Sequence, residues 1–344
     1  MDKLISSQRF TNFAQNECHG SSNLYEYLSL QIANDDELLE LCSHARIGQP
    51  IPNLFFGAVH FLLQKGTNHL LKNYYPSIVE QPLYHESSFL YFKDFCLTHQ
   101  EEIYSILKTK LVQTNEVRRC AYLYPSFCYI YDKVKKPLSI IEIGCSSGLN
   151  LLWDHYSYSY ETNTLFGNLQ SDVQISSQIK GEKIPFLLSE SPPVASRVGV
   201  DLFINDIHNS DDYLWLKSLI WPEHSSRLQL FEKATNCFKK NPAQLIEGDG
   251  ISLLESIIKE IPKEHAICIF HTHVANQIPE DSKNKLVLNI EDIANNYDVF
   301  HLYNNMWDKY LHLDSYSKRQ VCKEILAETD GHGRWFTWKI DHQQ

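Results

Sequence analysis

The sequence has no C-x-x-C pair, no run of five or more lysines and arginines, and no internal repeat or low-complexity tail. It also lacks any apolar run of the roughly 18 residues that a bilayer-spanning helix needs. Each absence excludes something. Nine cysteines standing singly (positions 18, 42, 96, 120, 128, 145, 237, 268 and 322), an odd number, give no disulfide framework and suit reduced thiols. Without a basic run, and with 31 basic against 42 acidic residues for a formal net charge of −11, a nucleic-acid partner is not expected. The opening MDKLISSQRFTNFAQNECHG lacks the apolar core of a signal peptide. The expectation is a soluble, cytoplasmic protein without a membrane partner.

What is present is a change of architecture. The 344 residues have room for one large α/β domain with an added helical region. Up to residue 135 the apolar spacing is helical: SSNLYEYLSLQIAND offers a serine cap followed by Leu24, Tyr27, Leu28 and Ile32. No strand is expected there. Lys135, Lys136 and Pro137 then punctuate the chain, and strands begin to alternate with helices: strand 138–143, helix 149–155, strand 198–202, helix 211–238, strand 244–247, helix 251–260, strand 266–271, another helix, and strand 298–303. This alternation implies a mostly parallel sheet covered on both faces. Residues 156–197 interrupt it. The alternation VQISSQI, the turn Lys180-Gly181-Glu182 and the stop Pro192-Pro193 predict a β-hairpin there, and alternating Tyr156, Tyr158 and Tyr160 read as packing residues of a strand.

The centre of interest is IIEIGCSSGLNLL, residues 140–152, a strand, a glycine turn and a helix start. As a cofactor cradle, Gly144 and Gly148 admit a close ligand and the following helix end faces it with amides. As G-x-S-x-G, the same turn is a nucleophile elbow with Ser146 attacking an acyl carbon, and Asp249 or Asp298 followed by His332 completes the required order. As a scaffold, it binds a partner without catalysis. The pattern is not the G-x-G-x-x-G of nicotinamide enzymes.

Glu142 to Gly148 resembles the acid-x-Gly-x-Gly-x-Gly signature of class I S-adenosylmethionine-dependent methyltransferases, with Ser146 at the middle glycine. That resemblance implies a Rossmann-like, methyltransferase-type α/β domain over 136–344, a helical lid or substrate region over 1–135, and S-adenosylmethionine as cofactor. GVDL then supplies Asp201 for the ribose hydroxyls, and QLIEGDG supplies Asp249 for the adenine amine. Glu142, Gly144, Ser146 and Gly148 form the rest of the cofactor site. Asp201 lies 53 positions after Gly148, against about 20 in dinucleotide sites, so 156–197 is read as an insertion. The implied reaction is methyl transfer to a small or medium-sized metabolite. A wider resemblance, to the bacterial family catalogued as domain of unknown function 2332, is carried by FFGAVHFLLQKG (55–66), VQTNEVRRCAYLYP (112–125), EIGCSSGLNLLWDHYSYSY (142–160), VASRVGVDL (194–202), WLKSLIWPEHSSRL (215–228), IFHTHV (269–274) and HGRW (332–335). It covers nearly the whole chain and implies no reaction.

Other residues are candidates too. His271 and His273 are two apart, so on an extended strand both face one side, as two metal ligands would, yet no third ligand appears at a recognisable spacing and no metal is assigned. Either histidine would serve as proton acceptor; in the plainer reading one bonds at the strand end and the other lines the pocket. Thr114 or Asn115 with Glu116 reads as a helix start, or else Asn115, Glu116 and Arg119 face cofactor or substrate from a lid. WPEH (221–224) reads as a helix break at Pro222, and Cys145 as a small buried side chain in the turn.

Overall fold

The computed structural model describes residues 3–162, 164–317 and 320–341. It begins with six helices, α1 (Lys3–Phe13), α2 (Asn23–Ile32), α3 (Asp36–Cys42), α4 (Ile51–Gln64), α5 (Ser88–Thr98) and α6 (Gln100–Thr109). Their starts are chemically specified: the Ser22 hydroxyl accepts from the Tyr25 amide at the head of α2, and Asp35 accepts from Glu37 and Leu38 at the head of α3. Among the described residues before 138 there is no strand.

From α7 (Cys120–Val134) the chain enters the sheet through β1 (Leu138–Ile143), followed by β2 (Ser157–Ser159), β3 (Leu165–Gly167), β4 (Gln174–Ser176), β5 (Gln178–Ile179) and β6 (Val194–Asp201). Then come α8 (Ser210–Ser218), α9 (Ser225–Lys240), β7 (Gln244–Glu247), α10 (Gly250–Lys259), β8 (Ala266–His271), α11 (Glu280–Ile293), β9 (Val299–Asn304), β10 (Tyr310–Ser317), β11 (Gln320–Thr329) and β12 (Trp335–Trp338). The protein is α/β, with a mixed, mostly parallel nine-stranded sheet ordered β5-β12-β11-β10-β9-β8-β1-β6-β7 and a small sheet ordered β3-β2-β4. Strands β7, β6, β1, β8 and β9 run parallel. Their order reverses at β1: the chain steps outward to β6 and β7, then returns to β1's other side for β8 and β9.

The chain forms two units, Met1–Thr114 with His208–Gln229, and Asn115–Ile207 with Leu230–Gln344. The first unit has its own core, rich in aromatics such as Phe10, Tyr25, Phe55, Phe56 and Phe92. Full burial of each contributes on the order of 1.5–3 kcal/mol. Gly57 on α4 lets α8 come close, since a Cβ there would lie 2.9 Å from Leu219 Cδ2. In the second unit β1, β8 and β9 are buried along their whole length, as central parallel strands are. Ile251, Leu254 and Ile258 of α10 and Leu286 and Ile290 of α11 pack with Ile141, Ile267 and Ile269 of the sheet. Elsewhere in the unit, Phe127 of α7 stacks on Trp153 at 4.5 Å and meets Phe270 edge-on.

Several expectations need correction. The helix at 149–155 is a 3-10 helix, Leu149–His155, with Leu152 off helical geometry. The helix expected over 211–238 is two, α8 and α9, separated at Trp221–His224 where Pro222 breaks the pattern. The hairpin expected at VQISSQI does not form: β4 pairs in parallel with β2, and β5 pairs in parallel with β12 in the large sheet. Two short strands joined by Ser177 have little to gain from each other, and each is held by a sheet edge instead. The antiparallel pair in this stretch is β2 with β3. Tyr156, Tyr158 and Tyr160 are buried along β2 and at its ends.

Candidate functional site

In open parallel sheets a crevice forms beyond the carboxyl ends of the strands where their order reverses. Here that point lies between β1 and β8, and the turn 144–148 leaves β1 there. Gly144, Ser146 and Gly148 all have left-handed backbone, with φ of +74°, +52° and +75°. Glycine serves two of these positions at no steric cost, whereas Ser146 is held there by bonds. The Ser146 amide donates to Asp201 Oδ2 at 2.7 Å, the Gly144 amide to the Val200 carbonyl at 2.7 Å, and Asn115 Nδ2 to the Cys145 carbonyl at 2.7 Å. The glycines also answer to packing. A Cβ on Gly144 would lie 2.4 Å from Val274 Cγ2, and one on Gly148 2.8 Å from Leu245 Cδ2.

Three carboxylates stand at the carboxyl ends of adjacent strands. Glu142, near the end of β1, is buried; its Oε1 accepts from Asn150 Nδ2 at 3.5 Å and its Oε2 has no hydrogen-bond partner. Burial pushes its carboxyl well above the ordinary range, Asp201 adds to the shift and Asn150 opposes it. Asp201, the last residue of β6, also accepts from the Phe203 amide at 3.2 Å through Oδ1. Asp249, just past β7, caps α10 by accepting from the Ile251 amide at 3.1 Å and from the Ser252 hydroxyl. The Ser252 bond is the main reason its pKa lies below the usual carboxylate value.

On the other side of the reversal, the two histidines part company. Strand β8 ends at His271, and His273 has φ +56°, so the alternation that would have aimed both rings to one face is broken. His271 is fully buried, with Nε2 3.0 Å from His301 Nε2 on β9 and Nδ1 unpartnered; burial pushes its pKa down to about 4. The His273 amide donates to Asn304 Oδ1 at 2.9 Å, and its ring Nδ1 lies 3.2 Å from Asn305 Nδ2. Burial lowers its pKa to about 3, with Arg119 and His332 adding to the shift. Among the described residues no cluster of three His, Cys, Asp or Glu is arranged to hold a metal ion.

The segment 115–119 joins the turn to this second group. Arg119 donates through Nε to the Gly331 carbonyl at 3.0 Å and reaches the Thr272 carbonyl at 3.5 Å. Glu116 caps the short 3-10 turn Val117–Arg119 through the Arg118 amide, and its Oε2 lies 3.3 Å from His332 Nδ1. The cap is therefore Glu116 itself, while Asn115 and Arg119 brace the turn and the end of β8. Asp330 organises the last loop: it accepts from the His332 and Arg334 amides and from the Arg334 guanidinium. Gly333, with φ +70°, lets that loop touch the Arg118 carbonyl, 2.4 Å from where a Cβ would stand.

Asn304, Asn305 and Asp330 were not among the residues singled out from the sequence. The paired asparagines ending an apolar run and the D-G-H-G-R turn were the available signals. For the hydrolytic reading, Asp298 precedes β9 at the opposite end of the sheet from the turn, where it accepts from Lys136 Nζ and Ser317 Oγ. Ser146 Oγ lies 3.3 Å from Asn205 Nδ2, which donates to it.

A family model for uncharacterised proteins conserved in bacteria, DUF2332, matches residues 7–338. The chain belongs to the DUF2332 family. No curated protein and no solved structure matches it. The DUF2332 match spans both units, so the helical residues and the sheet belong to one family unit of sequence. Within the described residues of this DUF2332 chain no helix is long and apolar enough to cross a membrane.

Proposed function

We propose that the sheet unit is a Rossmann-like, methyltransferase-type domain that binds S-adenosylmethionine at the β1 turn and transfers its methyl group to a small or medium-sized metabolite. The observation that carries this reading is the row of acids Glu142, Asp201 and Asp249 at the carboxyl ends of neighbouring β1, β6 and β7, around a left-handed glycine turn at the point of strand-order reversal.

The donor set suits the cofactor. Glu142 Oε2 is a buried acceptor without a partner, and a cationic amino group beside it would restore the charge that burial suppresses. Asp201 accepts the Ser146 and Phe203 amides at the turn, and its carboxylate is the acceptor type that ribose hydroxyls require. Asp249 is likewise of the acceptor type for an adenine amine while it caps α10.

When bound, the sulfonium supplies an activated methyl group together with its leaving group. The chain's own task is then alignment: holding the acceptor in line is worth up to about 7–11 kcal/mol in well-oriented reactions. Arg119 and Asn115 fix the two walls of the crevice by gripping the Thr272 and Cys145 carbonyls. His273, kept neutral at physiological pH by burial and lying beside the Asn305 amide, is the ring that would take a proton from an acceptor that must lose one. His271 is fully buried beside His301 whereas His273 is partly exposed, so the proton role falls to His273.

Titration calorimetry of the full chain with S-adenosylmethionine and with its demethylated product tests the reading. Micromolar binding that falls in Asp201→Asn and Glu142→Gln, with unchanged near-ultraviolet circular dichroism, is the expected result. No heat of binding at millimolar ligand would sink it.

A further inference from the structure

The helical unit carries a second arrangement of groups that methyl transfer does not use. Helix α4 is buried from Ile51 to Leu63 except at Asn53, and in its apolar interior stands His60, only 1% exposed. Its Nδ1 lies 3.0 Å from the carbonyl of Ser218, the last residue of α8. A helix's last carbonyls need a donor, so Nδ1 carries the proton and Nε2 presents its lone pair. Ser77 Oγ is 2.8 Å from that Nε2, and Gln64, one turn along α4, donates from its own Nε2 at 2.7 Å to the same atom, so the two groups share its lone pair. A hydroxyl, a correctly tautomerised imidazole and a group that orients the imidazole are the parts of an activated nucleophile.

Ser77 is not sealed in. It lines an open cleft of about 400 Å³ together with Gln64, Asn68, Lys72, Leu214 and Lys217. Lys72 Nζ is held by Asn68 Oδ1 at 3.1 Å, and Lys217 is a second lysine of the lining. Gln64 Oε1 is buried without a partner, an acceptor for a substrate N–H or O–H.

We infer that Ser77 is a nucleophile activated by His60, and that this cleft takes a small carboxylic ester bearing a negative charge. In the step, Ser77 Oγ bonds to the acyl carbon and its proton passes to His60 Nε2. The ester C–O bond then breaks, the alcohol leaves with that proton, and water hydrolyses the acyl-serine to free acid and serine. Burial, with Lys217 adding to it, keeps the His60 pKa down to about 4, so the base is unprotonated at neutral pH. The groups facing it are Ser77, Gln64, the Ser218 carbonyl, Lys217 and the Tyr75 ring at 5.4 Å.

The test is labelling of the full chain with a fluorophosphonate, in which the Ser77 Oγ–P bond forms and fluoride leaves, read by peptide mass spectrometry. The expected result is one adduct on Ser77, absent in Ser77→Ala. His60→Gln, folded by near-ultraviolet circular dichroism, should label at least roughly 100-fold more slowly. The labelling rate should not change through pH 6.5, where an ordinary imidazole titrates. No adduct on Ser77, an adduct on Ser146 alone, or full-rate labelling of His60→Gln would overturn the assignment. Faster hydrolysis of a nitrophenyl succinate monoester than of the acetate, lost in Lys72→Ala, is expected of the charged pocket, and equal rates would overturn the anionic substrate. None of these readouts depends on S-adenosylmethionine binding.

Discussion

The two ends of the parallel strands differ in how they treat polar groups. At the amino ends, polar side chains are matched: Ser139 Oγ meets His265 Nδ1 at 3.0 Å and accepts from Ser196 Oγ at 2.9 Å, and Asp298 takes Lys136 and Ser317. At the carboxyl ends, Glu142 Oε2, Asn115 Oδ1 and Ser147 Oγ are buried without partners, and three non-glycine residues of the unit's crevice side, Ser146, His273 and Asn305, have left-handed backbone. Leaving a buried donor or acceptor unpaired costs about 1–3 kcal/mol, which a ligand at that end would recover. One end of the sheet has its named polar groups matched, and the other keeps buried polar atoms unpaired.

Four substitutions break or sharpen this contrast, from the largest effect to the smallest. Gly144→Ala combines a Cβ 2.4 Å from Val274 with left-handed backbone, and should lower stability by about 2–4 kcal/mol in chemical denaturation. Adding Val274→Ala should return the steric part, and a double variant no more stable than the single one would show that the close approach is not the cause. Glu142→Gln removes an acid whose folded pKa lies above its unfolded value. The folded state then binds more protons, so the natural protein should lose stability as pH rises from about 4.5 toward its folded pKa, while the variant should not. Identical pH profiles would exclude Glu142 as the buried acid. Asn115→Ala, which frees the Cys145 carbonyl, should cost about 1 kcal/mol in the same denaturation experiment. Asp298→Asn, at the matched end, loses a partly exposed ion pair and should cost less than about 1 kcal/mol, diminishing with added salt. An amino-end loss larger than that at Asn115 would reverse the comparison.

Local pattern was enough for much of the fold. Strands over 138–143, 244–247 and 266–271 occur with those bounds, because buried parallel strands are short apolar runs closed by turn residues. The helix expected over 149–155 occurs with those bounds as a 3-10 helix, and its Trp153 stacks on Phe127. The hairpin at VQISSQI failed because period-two alternation marks a strand without naming its partner. At the site, the GCSSG turn and Asp201 are joined by a direct bond across 55 positions, a contact that the motif order did not name. The separation of His271 from His273 was invisible, since it depends on where β8 stops, a matter of pairing with β9.

The sequence by itself determined the class of the chain, the start of the sheet, the glycine turn and the acids that follow successive strands. All of these depend on residues near one another along the chain, whose periodicity and turn chemistry act locally. Only tertiary structure decided that Asn115 grips the turn, that Arg119 holds the Thr272 and Gly331 carbonyls, and that His60 finds Ser77 and the Ser218 carbonyl. Those partners lie from 17 to 212 positions apart in the chain. Their meeting is set by strand order and helix packing, which no window of local sequence contains.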